Sequence, residues 1–268
     1  LLKIIKKIVP KKFYFYLLEI YFFLRHFKYL GKGFKCSFCQ KSFKTFLTSG
    51  IDVPVLKLKK VIGGELNKNC LCPKCNSSDR ERLIHVFIKK NKHLEKIKNK
   101  KILHIAPEKN LLKFFKHQNP KEYIDADLNK IRATHEMNLT NIIFKDNYFD
   151  IIICNHVLEH IENDGKAIKE LYRVLKPNGW AILQVPISEN LKNTFENNKI
   201  KSKKERLKFF GQSDHVRIYA KDYKKRLTQK GFKVNLKKLS KREINKYNLN
   251  KKEYIYFLYL ILKIHLID

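Results

Sequence analysis

Arginine is scarce in this sequence of 268 residues, although the chain is strongly basic. Nine of its 58 basic residues are arginine and 49 are lysine, against 25 acidic residues, which gives a formal net charge of +33. Proteins that read phosphates and bases favour the bidentate fork of arginine. The charge therefore indicates a solvated lysine surface more than a surface dedicated to nucleic acid or another polyanion.

Long apolar runs are also missing. The first apolar stretch, from Phe13 to Leu24, is much shorter than the roughly twenty residues of a membrane-spanning helix. No small-residue cleavage site follows it, so we expect a cytoplasmic protein without a secretory signal peptide. Residues 1–30 are basic and aromatic-rich. As a helix, this segment would either lie peripherally on the inner membrane face or pack against the rest of the protein.

The apolar content, 44%, is enough to bury a core and argues against general disorder. The length suits one α/β domain with a small additional module. We therefore expect three parts: the basic helical segment 1–30, a module over 31–98 and an α/β domain over 99–268. The module would end in a connecting helix, which the apolar spacing predicts from Arg80 to about Leu94.

Five of the six cysteines fall within residues 36–75. Four of them form two C-x-x-C turns: Cys36, Cys39, Cys72 and Cys75. Each turn lets two thiolates bind one metal ion, and two turns supply the four thiolates of a structural zinc site. Cys70 is a spare thiol that could replace Cys72. We therefore predict a structural zinc in the module.

From residue 101 onward, apolar strands alternate with helices. Strands are predicted at 102–106, 122–126, 149–154 and 180–186, and helices at 108–117 and 164–175. Such β-α-β alternation predicts a mostly parallel, doubly wound sheet. Ligands of such sheets bind at the carboxyl ends of the central strands.

Two segments of this domain carry a family resemblance: residues 146–161 read DNYFDIIICNHVLEHI, and residues 173–183 read RVLKPNGWAIL. With this spacing they resemble the class I S-adenosylmethionine-dependent methyltransferases, in the broad type 11 group. The resemblance covers about residues 100–268. It implies a Rossmann-like sheet of seven strands in the order 3-2-1-4-5-7-6, with an antiparallel strand 7 from the apolar run 254–264. Asn178 replaces the first of the family's two closing glycines.

S-adenosylmethionine presents a ribose diol, an adenine and a sulfonium cation to its site. An acidic residue at the end of the second strand can accept both ribose hydroxyls. Asp127 occupies that position, with Asp125 as the fallback. The resemblance places Asn138 near the adenine amine, where the family often has aspartate. Asn155 and His156, at the end of the fourth strand, would line the methionine end.

The loop after the first strand departs from the family. The family has an acidic residue and several glycines there, so that the backbone can approach the cofactor. Here residues 104–110 read HIAPEKN, without glycine. Ala106 is the small residue of this loop, and Glu108 would contact the amino group of the cofactor. We expect this loop to bind the cofactor. The alternative is that the domain is a degenerate copy of the family fold that does not bind it.

The acceptor side is predicted after the fifth strand, where residues 210–219 read FGQSDHVRIY. His215 would act as general base, oriented by Asp214. Arg217 would hold a carboxylate or phosphate of the acceptor, and Tyr219 would line the same site. The alternative is a turn that packs under the last helix.

Three functions follow from these patterns. We favour a methyltransferase acting on a polar or anionic small-molecule or glycan acceptor. An RNA methyltransferase would use the zinc module and the positive charge, but the sequence lacks arginine-rich or aromatic base-stacking motifs. A non-catalytic, zinc-binding scaffold that kept the fold is the third.

Overall fold

A computed structural model describes residues 9–92, 94–237, 239–247, 249 and 258–263. Its helices are α1 (Lys11–Tyr29), α2 (Pro54–Leu58), α3 (Asp79–Lys90), α4 (Lys109–Lys116), α5 (Asp164–Val174), α6 (Lys203–Phe210), α7 (Tyr223–Thr228) and α8 (Lys241–Tyr247), with a 3₁₀ turn at Leu158–His160. Its strands are β1 (Leu30–Lys35), β2 (Ser42–Phe43), β3 (Leu47–Ser49), β4 (Val61–Ile62), β5 (Asn67–Leu71), β6 (Lys101–Ile105), β7 (Glu122–Asp127), β8 (His135–Glu136), β9 (Phe149–Asn155), β10 (Leu175–Gln184), β11 (Ile187–Ser188), β12 (Phe195–Glu196), β13 (Arg217–Ile218), β14 (Lys233–Lys237) and β15 (Leu258–Leu262).

The central sheet has seven strands in the order β8-β7-β6-β9-β10-β15-β14. Neighbouring strands from β8 to β10 are parallel, and β15 is antiparallel to both β10 and β14. Numbered along the chain within this sheet, the order is 3-2-1-4-5-7-6. The predicted Rossmann-like sheet, its strand order and its antiparallel seventh strand are therefore confirmed. The closing strand lies within the predicted run, whose ends fall outside the described residues.

Apolar side chains bury both faces of this sheet, which is why its central strands read as continuous apolar runs. In β9, Ile152 packs with Leu171 of α5 in the core on one face. The neighbouring Ile151 packs with Ile84 of α3 in the core on the other face. Helix α3, which the sequence groups with the cysteine module, thus also covers the sheet of the α/β domain.

An irregular stretch within β10, where the pairing with β9 shifts register between Leu175 and Trp180, explains why asparagine replaces a family glycine. Asn178 has a φ of +61°, in the left-handed region that asparagine tolerates better than most residues. At Gly179 a Cβ atom would lie 2.9 Å from the carbonyl oxygens of Asp150 and Lys176. The second glycine is therefore required by close packing, whereas the first is not.

The cysteine module contains two small antiparallel strand pairs and is joined to the central domain by further pairing. Strand β1 pairs with β2, and β3 pairs with β5. Strand β4 pairs with β11, which follows the central sheet, and aligns Ile62 with Ile187. Behind this pair, Leu56 and Val61 of the module pack with Phe210 and Ile218. The module is thus fixed to the edge of the domain where β10 ends.

Helix α1 docks along one side and is exposed along the other. Arg25 donates two hydrogen bonds, of 3.0 and 2.8 Å, to the carbonyl oxygen of Pro73, and His26 is buried. The exposed side carries large apolar residues: Phe13, Tyr16, Ile20, Tyr21, Phe23, Leu24 and Phe27. Within the described residues, no helix combines the length and apolarity needed to cross a membrane.

Candidate active site

Three neighbouring strands end at the same edge of the sheet and bring the predicted cofactor residues together. Strand β6 lies between β7 and β9, and the three are parallel. Ala106 follows β6 directly, Asp127 ends β7, and Asn155 ends β9. This carboxyl edge is the place where doubly wound sheets bind their ligands.

The first loop adopts a glycine-like turn without a glycine. Ala106 has a φ of +47°, and its N–H donates a 2.7 Å hydrogen bond to the carbonyl oxygen of Ala126. The left-handed conformation costs an L-residue roughly 1–2 kcal/mol and costs glycine almost nothing. The chain therefore keeps the backbone path that the missing glycines would favour. Alanine, with a single methyl group, is the smallest side chain that can replace them.

Glu108 is the polar centre of this edge. Its carboxylate accepts hydrogen bonds from Nε2 of His104 at 3.2 Å and from Nδ2 of Asn155 at 2.5 Å. Burial raises the pKa of Glu108, but the hydrogen bond and charge of His104, together with the charge of Arg80, lower it below its usual value. A buried carboxylate is thus held as an anion beside Ala106.

The side-chain oxygen of Asn155 is a hydrogen-bond acceptor that has no donor among the described residues. This oxygen, Oδ1, is buried. A buried unsatisfied acceptor is costly, so the atom is suited to a donor supplied by a ligand. Together, this oxygen and the Glu108 carboxylate fit an ammonium group, such as the one at the methionine end of S-adenosylmethionine.

The structure separates the two aspartates of β7. Asp125 is buried, and its carboxylate accepts a 2.7 Å hydrogen bond from Oγ1 of Thr134. Asp127 is half-buried at the end of the strand, and its Oδ1 accepts a 2.8 Å hydrogen bond from the N–H of Asn129. Asn138 is exposed, and its oxygen caps its own turn by accepting from Thr140. The cofactor roles of Asp127 and Asn138 stay predictions.

A second polar cluster lies just beyond β9. His156 follows β9 with a φ of +55°, and its Nδ1 lies 3.5 Å from a carboxylate oxygen of Glu159. His215 packs edge-on against His160, with ring centroids 4.6 Å apart. Burial lowers the pKa of His215 to about 4, although the charge of Glu159 opposes this. Asp214 is 68% exposed and lies 3.4 Å from Nδ1 of His160. Among the described residues, Asp214 therefore pairs with His160 and not with the predicted His215.

Arg217 and Tyr219 are built into the fold. The Arg217 guanidinium, 3% exposed, donates to the carbonyl oxygens of Leu158, Ile161 and Glu162 and pairs with Glu196 at 2.9 Å. The hydroxyl of buried Tyr219 donates a 2.7 Å hydrogen bond to Asp164. Both side chains hold the segment after β9, and their substrate roles stay predictions.

Glu159 and His160 were missed as site residues, because the Leu-Glu-His segment is usually structural. Burial would raise the pKa of Glu159, but His156, His215 and His160 together keep it below its usual value. The fold brings His215 to them, since the N–H of Val216 donates a 2.9 Å hydrogen bond to the Glu159 carbonyl. Nothing in the sequence indicates that the segment around His215 pairs with the segment around Glu159, although each segment is recognisable by itself.

The four predicted cysteine ligands lie together, with their sulfur atoms within 4.8 Å of one another. The Sγ atoms of Cys36 and Cys75 are 3.6 Å apart, and those of Cys39 and Cys72 are 3.7 Å apart. A tetrahedral zinc site with Zn–S bonds of about 2.3 Å has S–S separations of roughly 3.8 Å, so the cluster fits zinc.

The two C-x-x-C turns have the same backbone geometry. The carbonyl oxygen of the first cysteine accepts from the residue after the second cysteine, Gln40 or Asn76, at 3.0 Å in both turns. Those two residues have φ values of +57° and +58°. Cys70 lies apart and donates to Asp79 at 3.1 Å. Cys72, and not Cys70, is therefore the fourth member of the cluster.

Comparisons with known proteins agree with this geometry. Residues 90–183 match the type 11 family model described as a methyltransferase domain. An uncharacterized protein of Methanocaldococcus jannaschii is 36% identical over 75 residues, which are 26% of this chain and 33% of that protein. A ubiquinone biosynthesis O-methyltransferase of Rickettsia conorii is 33% identical over 58 residues, 22% of this chain and 20% of that enzyme. The chain thus spans a third or less of these two relatives.

Among solved structures, an S-adenosylmethionine dependent methyltransferase from Mesorhizobium loti is similar to this chain. It has a TM-score of 0.43 and 10% sequence identity, and the alignment covers 62% of this chain and 91% of that one. The strand order of the central sheet is the one expected for the class I methyltransferase fold. Residues 90–183 therefore form part of a methyltransferase domain of the type 11 family.

Proposed function

We propose that this protein transfers a methyl group from S-adenosylmethionine to a polar small-molecule or glycan acceptor. The observation that carries the proposal is the pairing of anionic Glu108 with the unpartnered Oδ1 of Asn155, considered within the described residues. Both atoms lie at the carboxyl edge of the sheet. When bound there, the cofactor supplies a methyl group already activated by its sulfonium sulfur.

In this proposal, the chain's own residues mainly bind and orient. Glu108 and Asn155 hold the ammonium group, and Asp127 accepts the ribose hydroxyls. His104 orients Glu108, because its other ring nitrogen is fixed 2.7 Å from the hydroxyl of Tyr123. Methyl transfer is an in-line displacement, so much of the rate comes from this positioning. His215, uncharged at neutral pH, accepts the proton that an acceptor hydroxyl or amine loses.

A cavity of about 300 Å³ supports a small acceptor. It opens between the β4–β5 turn, at Gly63 and Gly64, and the amino end of α3, at Arg80, with Gln212 as a further wall. Glu81 also lines this cavity and accepts a 3.1 Å hydrogen bond from Asn110, two residues beyond Glu108, so the cavity adjoins the cofactor edge. An RNA acceptor would instead need an open, base-stacking surface.

Calorimetric titration with S-adenosylhomocysteine tests the cofactor half of this proposal. Wild-type protein should bind, whereas Glu108→Gln and Asp127→Ala should each bind much more weakly. Glu162→Gln, on an 83% exposed carboxylate, is the matched control and should bind normally. A folded, metal-loaded wild-type protein that takes up no S-adenosylhomocysteine would favour the scaffold function instead.

We also propose that the four cysteines hold a structural zinc ion. The paired turns and the separations of 3.6 and 3.7 Å support this, because they suit four thiolates around one tetrahedral ion. Elemental analysis of purified protein should find zinc bound to this module. The Cys39→Ser variant should lose it, whereas Cys70→Ser should keep it.

We further propose that α1 contacts an anionic lipid surface. Its exposed apolar residues, at positions 13, 16, 20, 23, 24 and 27, recur at helical spacing and so form one stripe. The chain's charge of +33 favours an anionic surface as the partner. Flotation with vesicles that contain phosphatidylserine should carry the protein upward, and Phe23→Ser with Phe27→Ser should abolish this. Equal flotation of both proteins would exclude the stripe as the contact.

A further inference from the structure

We propose that Glu159, His160 and His215 bind a divalent transition-metal ion at the acceptor side of the site. One potential ligand atom from each residue lies within 4.8 Å of the others. The proposal rests on the methyl transfer proposed above for its role, but the metal site itself is argued from these residues alone. It is separate from the four-cysteine cluster and has a different donor set.

Glu159 provides the first argument. Its side chain is 2% exposed, and its Oε2 is buried with no hydrogen-bond partner in the part of the chain that the structure describes. Its other oxygen, Oε1, lies 3.5 Å from Nδ1 of His156. Burying a carboxylate oxygen without a hydrogen-bond partner is unfavourable, because the oxygen loses its hydration without replacement. A cation bound to Oε2 would remove that cost.

The surrounding backbone provides the second argument, because it holds the ligands in place without the ion. The N–H of Val216 bonds to the Glu159 carbonyl at 2.9 Å, which fixes His215 beside Glu159. Arg217 bonds to the carbonyls of Leu158 and Ile161 and so fixes the turn that carries Glu159 and His160. Such prior positioning is what separates a binding site from a chance cluster of polar groups.

Asp214 provides the third argument. Its carboxylate lies 3.4 Å from Nδ1 of His160. Metal-bound imidazoles commonly have a carboxylate on the nitrogen that does not bind the metal, where it sets the ring orientation and raises the basicity of the ligand. Asp214 can serve His160 in this way. Asp214 contacts His160 and not the predicted His215, and this contact would orient a ligand of the metal ion.

The donor set indicates which ions fit. Two imidazoles and one carboxylate suit Zn²⁺, Mn²⁺ or Fe²⁺ and leave coordination positions open for water or a ligand. An acceptor hydroxyl bound at an open position would have its pKa lowered by the ion. In the metal-bound protein, the ion would therefore take over from His215 in promoting loss of the acceptor proton. The acceptor class becomes a hydroxyl compound, such as a sugar or another diol that can chelate.

Titration with Mn²⁺, followed by the electron paramagnetic resonance signal of the free ion, tests this site. Protein loaded with zinc is used, because Mn²⁺ prefers oxygen and nitrogen donors and does not displace zinc from four thiolates. Wild-type protein should bind one further Mn²⁺ per chain. Glu159→Gln and His160→Gln should each weaken binding at least tenfold, and Glu162→Gln should leave it unchanged.

Three outcomes are decisive. No uptake of Mn²⁺, or of Zn²⁺ or Fe²⁺ beyond the thiolate-bound zinc, overturns the proposal, as does wild-type affinity in the Glu159→Gln and His160→Gln variants. Each variant is also titrated with S-adenosylhomocysteine, whose normal binding shows that the variant is folded. If Mn²⁺ binds but S-adenosylhomocysteine does not, the metal site stands and the proposed methyl transfer fails.

Discussion

Replacing Arg217 distinguishes a structural arginine from one that holds the acceptor. Its guanidinium is 3% exposed and donates hydrogen bonds of 2.9, 2.5 and 2.8 Å to the carbonyls of Leu158, Ile161 and Glu162. Removing one partner from a buried, hydrogen-bonded ion pair costs about 3–5 kcal/mol. We therefore expect Arg217→Met to lower the free energy of unfolding by about 3–5 kcal/mol. Arg217→Lys should lose roughly half as much, because an ammonium keeps the charge but not the fork.

Urea unfolding followed by circular dichroism measures this change, with Arg132→Met at an exposed position as the control. The control should stay within about 0.5 kcal/mol of wild type, as most surface substitutions do. The slope of free energy against urea should be equal in the wild type and the three variants, so that their midpoints can be compared. If Arg217→Met unfolds like wild type but binds anionic acceptors more weakly, the structural role is wrong and the predicted acceptor role is correct.

Three further predictions follow from single contacts. Glu108→Gln should weaken S-adenosylhomocysteine binding about 10- to 100-fold in calorimetry, since a charge-assisted hydrogen bond contributes about 1.5–3 kcal/mol. Burial lowers the pKa of His85 from 6.5 to about 4, so the unfolded chain binds the proton more readily between these values. Stability should therefore fall as the pH drops from 6.5 to 4, by up to about 3 kcal/mol, and His85→Phe should show less of this loss in urea unfolding at each pH. Chelation of zinc should lower the thermal unfolding midpoint, and Cys39→Ser should make the protein insensitive to the chelator.

The fold was predictable because the central strands are long apolar runs at regular intervals. Strand β9, Phe149–Asn155, extends one residue beyond the predicted strand, and α5, Asp164–Val174, ends one residue before the predicted helix. Both elements could be predicted because their positions depend only on the local pattern of apolar residues. The packing of α3 on the sheet was not predictable, because an apolar helical face does not specify which surface it covers. Its side chains meet Ile102 and Ile151, which are distant in sequence.

The acceptor side shows where sequence reasoning stops. Asp214 and His215 are adjacent in the chain, so a pair was inferred from proximity. Asp214 lies in a turn and not in a strand, and its carboxylate contacts His160, while His215 lies near Glu159 and packs edge-on against His160. The positions of Ala106 and Glu108 were easier to infer, because strand, turn and helix follow one another there without a long-range partner.

A chain of contacts connects the cysteine cluster to the cofactor edge. The second C-x-x-C turn runs directly into Ser78, which caps α3 by accepting from the N–H of Glu81, while Glu81 bonds back to Ser78. The other oxygen of Glu81 accepts a 3.1 Å hydrogen bond from Asn110, two residues beyond Glu108. The amino end of α3 thus follows the second C-x-x-C turn on one side and contacts the first loop on the other. In a loop without glycine, where Ala106 has a φ of +47°, this contact helps to hold the segment beside Glu108 in place. The cysteine module is therefore joined to the carboxyl edge of the central sheet through α3.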